Sequence, residues 1–267
     1  LEAAAVSAGG LESALVDAVD LEARWVARGR MDVREGLQYI RDLTEVVGYI
    51  ADARPGDPRR GHDVESYVGL VNAGAPAGAA GDPLTVGGLE DASVVEILNP
   101  AYYWALYGVL WRFLVQGEGD APVPALEIGS ARVMPSVHLR LAPFGPEYVF
   151  GLAAARDGRV LRAGFRLVRG PWGTSPGLEL EGRRLLEAGE RVTLGGHLGV
   201  WRQWHFAGRS ADGRVGAMAV VRATTPFGDL PVDGLAELGV KTEGYAPGEA
   251  LGAGPVARLG LSLPLRP

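Results

Sequence analysis

Pro255-Val256-Ala257-Arg258-Leu259-Gly260-Leu261-Ser262-Leu263-Pro264-Leu265 alternates apolar and polar side chains along its length. Ala257, Leu259, Leu261, Leu263 and Leu265 lie on one side, and Val256, Arg258, Gly260 and Ser262 on the other. A period of two marks a β-strand with one apolar and one polar face. Seven earlier segments repeat the pattern. Val133, Val137, Leu139 and Leu141 oppose Ser136, His138 and Arg140, and Tyr148, Phe150, Leu152 and Ala154 oppose Val149, Gly151 and Ala153. Asp157-Gly158, a strong hairpin signal, then leads to Leu161, Ala163, Phe165 and Leu167 against Arg162, Gly164 and Arg166. Leu178 and Leu180 oppose Glu179 and Glu181, and Val192, Leu194, Gly196, Leu198 and Val200 oppose Thr193, Gly195, His197, Gly199 and Trp201. With Asp212-Gly213 expected in the next turn, Val215, Ala217, Ala219 and Val221 oppose Gly216, Met218, Val220 and Arg222. Ala236, Leu238 and Val240 oppose Glu237, Gly239 and Lys241.

The first half of the chain follows another period. Leu11 to Gly29 has helical spacing, Asp32 and Glu35 form a capping-box pair, and a second helix carries Leu37, Ile40, Leu43, Val47 and Ile50 before Pro55 and Pro58 end it. These predict a helical hairpin over 11–52, with solvating charges on its outer face. A short amphipathic piece runs from Asp63 to Val71, and 73–88 is rich in Ala, Gly and Pro, which predicts a loop. Asn99-Pro100 fits an N-cap with proline at the first helical position, opening a hydrophobic aromatic helix over 99–115. Its expected place is buried against the hairpin; the other reading is an interfacial helix with its Tyr and Trp rings at headgroup level. The fold class expected is α+β: a helical domain over 1–125, then an antiparallel up-and-down β-barrel of about eight strands over 126–267, the last strand closing beside the first.

Composition sets limits. The chain has 267 residues and a formal net charge of −6, with 40 glycines and no cysteine, so disulfides and thiolate metal sites are excluded. Residues 1–125 hold 19 acidic and 9 basic groups, and 126–267 hold 13 and 17. An acidic helical half argues against a nucleic-acid partner. The sequence opens at Leu1 without a signal peptide, which fits a leader already removed or a start inside a longer chain.

The two faces of the strands differ in a way that assigns their sides. The polar face carries His138, Arg140, Arg162, Arg166, Glu179, Glu181, Glu237, Lys241 and Arg258 together with seven glycines. An exposed face has room for long side chains and no use for so much glycine, whereas a crowded interior does. Mixed Arg and Glu there would satisfy one another as a buried network. The apolar face, with Leu139, Phe150, Phe165, Leu194, Leu198, Leu238, Leu261 and Leu263, would then point outward, toward membrane lipid.

Arg258, Gly260, Leu263 and Leu265 also match the terminal signal of barrels of that kind: a polar residue, a glycine two on, then alternating hydrophobic residues. Pro264 and the final Pro267 depart from it. On these residues the segment from Glu127 to Leu265 resembles the small bacterial outer-membrane β-barrel proteins. The resemblance implies a place in the bacterial outer membrane and a structural, anchoring or assembly role. Lipid would be one partner, and a protein could engage the acidic helical part. The alternatives are a soluble, lipocalin-like barrel, periplasmic or secreted, that binds a small apolar ligand, and a membrane lipid hydrolase. For the last, Ser136 and His138 are the candidate pair, in reversed order and pointing inward. No zinc-hydrolase, nucleophile-elbow or phosphate-loop motif occurs, so no catalytic, cofactor or metal residue is expected. Trp172, Trp201, Trp204 and Phe206 fit either a membrane-interface girdle or loop packing over a barrel mouth.

Overall fold

A computed structural model describes residues 2–53, 63–75, 81–189, 191–205, 210–227 and 232–262. Helices come first: α1 (Glu2–Arg28), α2 (Val33–Ala51), α3 (Asp63–Gly74), α4 (Val86–Ile97) and α5 (Pro100–Tyr107), the last continuing as a π-helical turn (Gly108–Phe113). Two short strands, β1 (Arg30–Asp32) and β2 (Asp120–Pro122), pair with each other and tie the α1–α2 link to the chain that leaves the helices. A nine-stranded antiparallel sheet follows: β3 (Leu126–Ile128), β4 (Ala131–Ala142), β5 (Gly145–Arg156), β6 (Arg159–Gly170), β7 (Gly173–Ala188), β8 (Val192–His205), β9 (Ser210–Pro226), β10 (Asp233–Lys241) and β11 (Gly254–Ser262). Each strand pairs with its neighbour in sequence, so the sheet runs up and down and the fold is α+β. All eight alternating segments are strands of this sheet, β4 to β11.

Local chemistry explains most boundaries. The Asp32 carboxylate accepts from the Arg34 N–H while Glu35 accepts from the Asp32 N–H, so the capping box forms and starts α2. The Asn99 side chain accepts from the Ala101 N–H with Pro100 just inside α5. Asp157 and Gly158 take φ of 51° and 74°, the positive pair that a tight hairpin between β5 and β6 requires. Asp212-Gly213 differs from expectation: both lie on β9, with Gly213 opposite Trp204, and the turn before them falls outside the described residues. The expected loop over 73–88 is shorter, because Thr85 caps α4 and the helix begins at Val86.

The core is shared. Leu21, Trp25, Tyr39, Leu43, Tyr67 and Leu89 of the helices pack in one cluster with Leu139, Leu141, Ala153 and Val160 of the sheet. Helix α1 lies against β4, β5 and part of β6 and covers the polar face of these strands. On β5, Val149, Ala153 and Ala155 are buried beneath it, whereas Phe150 and Leu152 on the opposite face are 49% and 48% exposed.

The sheet does not close into a barrel. Among the described residues β11 pairs only with β10, and no ladder joins it to β4 as expected. The other edge supplies a reason. β3 covers only Ala131 to Val133 of β4. Beyond it the Asn99 side-chain amide donates to the Val137 carbonyl at 3.0 Å, and the Leu139 N–H donates to the Glu96 carboxylate. The α4–α5 junction therefore occupies backbone groups that a closing strand would need. The same packing corrects a second expectation: Leu139, assigned to the lipid-facing set, is only 1% exposed and belongs to the shared core.

After β10 the chain turns back at Gly244, where φ is 133°. A Cβ there would sit 1.9 Å from the Gln203 side-chain nitrogen, and Gln203 is held by the Glu243 carbonyl and the Tyr245 N–H. Gly244→Ala is expected to lower stability by about 2 kcal/mol through backbone strain and this collision. Gly252→Ala, with open space around it, should leave stability unchanged. Denaturant midpoints of the two variants, followed by tryptophan fluorescence, check the pair.

Candidate functional site

Each expected interior residue has its place on the helix-covered side of the sheet. His138 is the deepest, 2% exposed, and both ring nitrogens are taken. Nε2 lies 3.0 Å from Glu22 Oε1 on α1, and Nδ1 lies 3.1 Å from Glu96 Oε2 on α4. The Tyr39 hydroxyl donates to Glu22 Oε1 at 2.5 Å, and the Asn99 amide donates to the same oxygen at 3.0 Å. Burial opposes the ionisation of Glu22, but the His138 charge together with the hydrogen bonds from His138 and Tyr39 outweighs it and holds the carboxyl below its usual range. Burial, with the Glu22 carboxylate next to it, pushes the Tyr39 hydroxyl far up, so it stays a donor.

Beyond this cluster a chain of ion pairs crosses the sheet. Arg140 grips Glu179 with two bonds of 3.0 Å, and Arg166 reaches Glu147 at 2.7 Å. Glu181 gathers Arg162 at 3.4 Å, Arg183 at 2.7 Å and Arg222 at 3.0 Å. Arg183 also holds Asp20 of α1 at 2.6 Å. Arg222 continues to Glu237 at 2.6 Å, and Glu237 receives Arg258 at 3.0 Å. The pairs thus form two groups: one joins β4 to β7 around Glu147 and Glu179, and the other joins β6, β7, β9, β10 and β11 around Glu181 and Glu237 and is tied by Arg183 to α1. Glycines make room for it. A Cβ at Gly164 would lie 2.7 Å from the Glu179 side chain, and one at Gly216 would lie 2.2 Å from the Trp201 ring.

Lys241, expected in this network, does something else. Its ammonium donates to the carbonyls of Thr242 and Gly244 at 2.9 and 2.6 Å and so fastens the loop after β10. That loop brings Tyr245 to Phe144 and Phe144 to Trp172 in edge-to-face contacts with centroids 6.3 and 5.7 Å apart. The Tyr245 hydroxyl donates to Glu12 of α1 at 2.8 Å. Trp172 and Trp201 are buried, so neither belongs to an exposed girdle and loop packing accounts for them. The side chain of Trp204, together with Phe206, His62, Leu263 and Leu265, lies outside the described residues.

Of the residues assigned to the apolar face, Phe150, Phe165, Leu198, Leu238 and Leu261 are exposed, and Leu194 is half-buried. Phe150 stacks on Phe165 with centroids 6.3 Å apart, beside a shallow apolar depression lined by Leu178, Leu180, Leu198 and Val200.

Chemically, the arrangement holds elements together. With Glu22 and Glu96 on both His138 nitrogens, no ring nitrogen is left to activate Ser136. No cluster of His, Asp and Glu suited to a metal ion occurs among the described residues. Sequence reasoning missed Glu22, Glu96, Glu147, Asp20 and Arg183. The first four sit on helices or at a strand end where they read as solvating charge, and Arg183 continues the Glu179–Glu181 alternation just where β7 becomes irregular toward β8. Comparison with family models, curated proteins and solved structures finds no match to this chain.

His138→Ala would leave two buried carboxylates facing each other without a cation, and an expected loss of about 3–5 kcal/mol follows. A carboxyl held below its unfolded value gives stability that is complete above that value, here 4.5, and is lost as pH falls through the lower folded value. Stability should therefore drop on acidification below the carboxylate range, and Glu22→Gln should flatten that acid limb. Urea midpoints measured across a pH series check both expectations.

Proposed function

We propose that this protein is a bacterial outer-membrane protein whose sheet turns its apolar face to lipid, with a structural, anchoring or assembly role. The observation that carries the reading is the reversed sidedness of the sheet. Its paired charges lie on the face that α1 covers at β4 to β6, most of them buried, while Leu178, Leu198, Val215, Val221, Leu238, Val240, Leu259 and Leu261 stand exposed on the other face. Soluble monomers rarely expose a contiguous apolar patch of more than a few hundred Å². The strands are long enough for the role. β4 to β9 have 12 to 17 residues, and a membrane-crossing strand needs about 9–11. No described helix is long and apolar enough to cross a membrane.

The acidic helical part is the side available to a protein partner in an anchoring or assembly role. A lipocalin-like carrier would need the apolar face turned inward, and here it is the face that α1 leaves bare. A lipid hydrolase would need a free base beside Ser136.

The expected outcome is that the protein is extracted from membranes only by detergent and migrates on a gel in a heat-modifiable way. Leu198→Arg, which puts a charge on the open face, should cost about 2–4 kcal/mol of membrane stability and block assembly. His197→Ala, on the covered face, should assemble normally. A wild-type chain that stays monomeric and soluble without detergent would sink the reading, as would equal tolerance of the two substitutions.

A further inference from the structure

The segment from Val94 to Val115 is built the wrong way round for a helix that packs on its own protein. Its small residues face in: Ala101, Ala105 and Gly108 are buried against the hairpin. A Cβ on Gly108 would meet the Met31 side chain at 2.2 Å, so the approach is as close as the backbone allows. Its large residues face out. Tyr103, Tyr107, Leu110, Trp111 and Leu114 follow helical spacing along one side and are all exposed, Leu114 to 65%. Val94, Ile97 and Leu98 lead into this face, and Phe113 and Val115 finish it, all exposed as well.

The face carries no free charge. Between Val94 and Val115 the only carboxylate or cationic side chains are Glu96, buried and bonded to His138 and the Leu139 N–H, and Arg112. Arg112 turns toward Gln116 at 2.9 Å and toward Glu118, both beyond the apolar run. The π-helical bond from the Leu114 N–H to the Val109 carbonyl, 3.1 Å, keeps the backbone satisfied through this last turn. The segment sits at the β4 edge, where Glu96 and Asn99 bond the strand, beside the exposed Leu126 and Ile128 of β3. It thus stands next to the sheet and repeats the sheet's sidedness with a different periodicity.

We infer that Pro100–Phe113 is an interfacial helix whose Tyr103–Leu114 face inserts into lipid acyl chains and continues the apolar wall past β4. Pro100–Phe113 is 14 residues, about 21 Å of helix, which is short of the ~30 Å hydrocarbon core, so the segment lies in the interface and does not cross. Tyr and Trp rings on such a face suit the headgroup boundary. The inference rests on the membrane reading of the sheet given above.

The absence of cysteine allows a direct test. Single-cysteine variants Leu110→Cys, Leu114→Cys, Leu198→Cys and Glu45→Cys are labelled with an environment-sensitive fluorophore in the full chain, assembled into phosphatidylcholine vesicles with and without brominated acyl chains. Labels at 110, 114 and 198 should show blue-shifted emission that brominated lipid quenches, while the label at 45, on the exposed side of α2, should show neither. A quenched label at 198 with unquenched labels at 110 and 114 overturns the helix inference and leaves the membrane reading of the sheet standing. Blue-shifted but unquenched labels at 110 and 114 mean that protein covers this face, and also overturn it. Unquenched labels at all four positions overturn both.

Discussion

His138 is where the helices and the sheet are forced to agree. Its two nitrogens bind carboxylates that lie 116 and 42 residues away in sequence, one on α1 and one on α4. In a buried site, the loss of either contact leaves a charge without compensation, and such a defect costs far more than an ordinary hydrogen bond. The position of α1 over the polar face and that of α4 at the sheet edge are therefore one constraint. Glu96 makes the coupling tighter, because its second oxygen takes the Leu139 N–H. One carboxylate thus neutralises the interior and occupies the edge at which the last strand would have paired.

The sidedness of the sheet follows from that placement. With α1 bound to the face that carries Arg140, Arg162, Arg166, Glu179 and Glu181, these charges are enclosed and must pair among themselves. They do so in two groups, one around Glu147 and Glu179 and one around Glu181 and Glu237, and Arg183 ties the second to Asp20 on α1. Glycines at 164 and 216 leave the volume that the Glu179 and Trp201 side chains fill. The helices that enclose the charges cannot also cover the opposite face. The apolar side chains are left outside because the fold has spent its covering elements on the ions.

How much of this could be read from sequence depended on whether the signal was local. The eight strands were legible because side-chain alternation is written along each segment, and Asp157-Gly158 named its hairpin through positive φ. The Asp32–Glu35 and Asn99–Pro100 caps were legible for the same reason. Helix α4 was not, since Gly87, Gly88 and Ala92 resemble the Ala- and Gly-rich stretch before it. Nor could the open sheet be read. Closure is a statement about two edges, and the groups that block it, Glu96 and Asn99, act through hydrogen bonds to residues some forty positions away. The interior was legible as a set of residue types, not as pairs: nothing in the period of β10 distinguishes Glu237, which joins the network, from Lys241, which fastens a loop.

The outward apolar surface is carried by two kinds of element with unrelated periods. Strands β5 to β11 expose their large side chains at every second residue, and the segment after Asn99 exposes its own at every third or fourth. A single misfit strand would be explained by register, because a slip of one residue exchanges the faces. Register cannot explain seven strands of which six carry paired ions on the opposite face, and it has no bearing on a helix. Water penalises each of these exposures, with each large side chain worth about 1.5–3 kcal/mol of lost burial. The burial of Ala101, Ala105 and Gly108 in place of their larger neighbours recovers none of it. An apolar surrounding would remove the penalty from both elements together, which is why the proposed membrane reading takes the sheet and the helix as one surface.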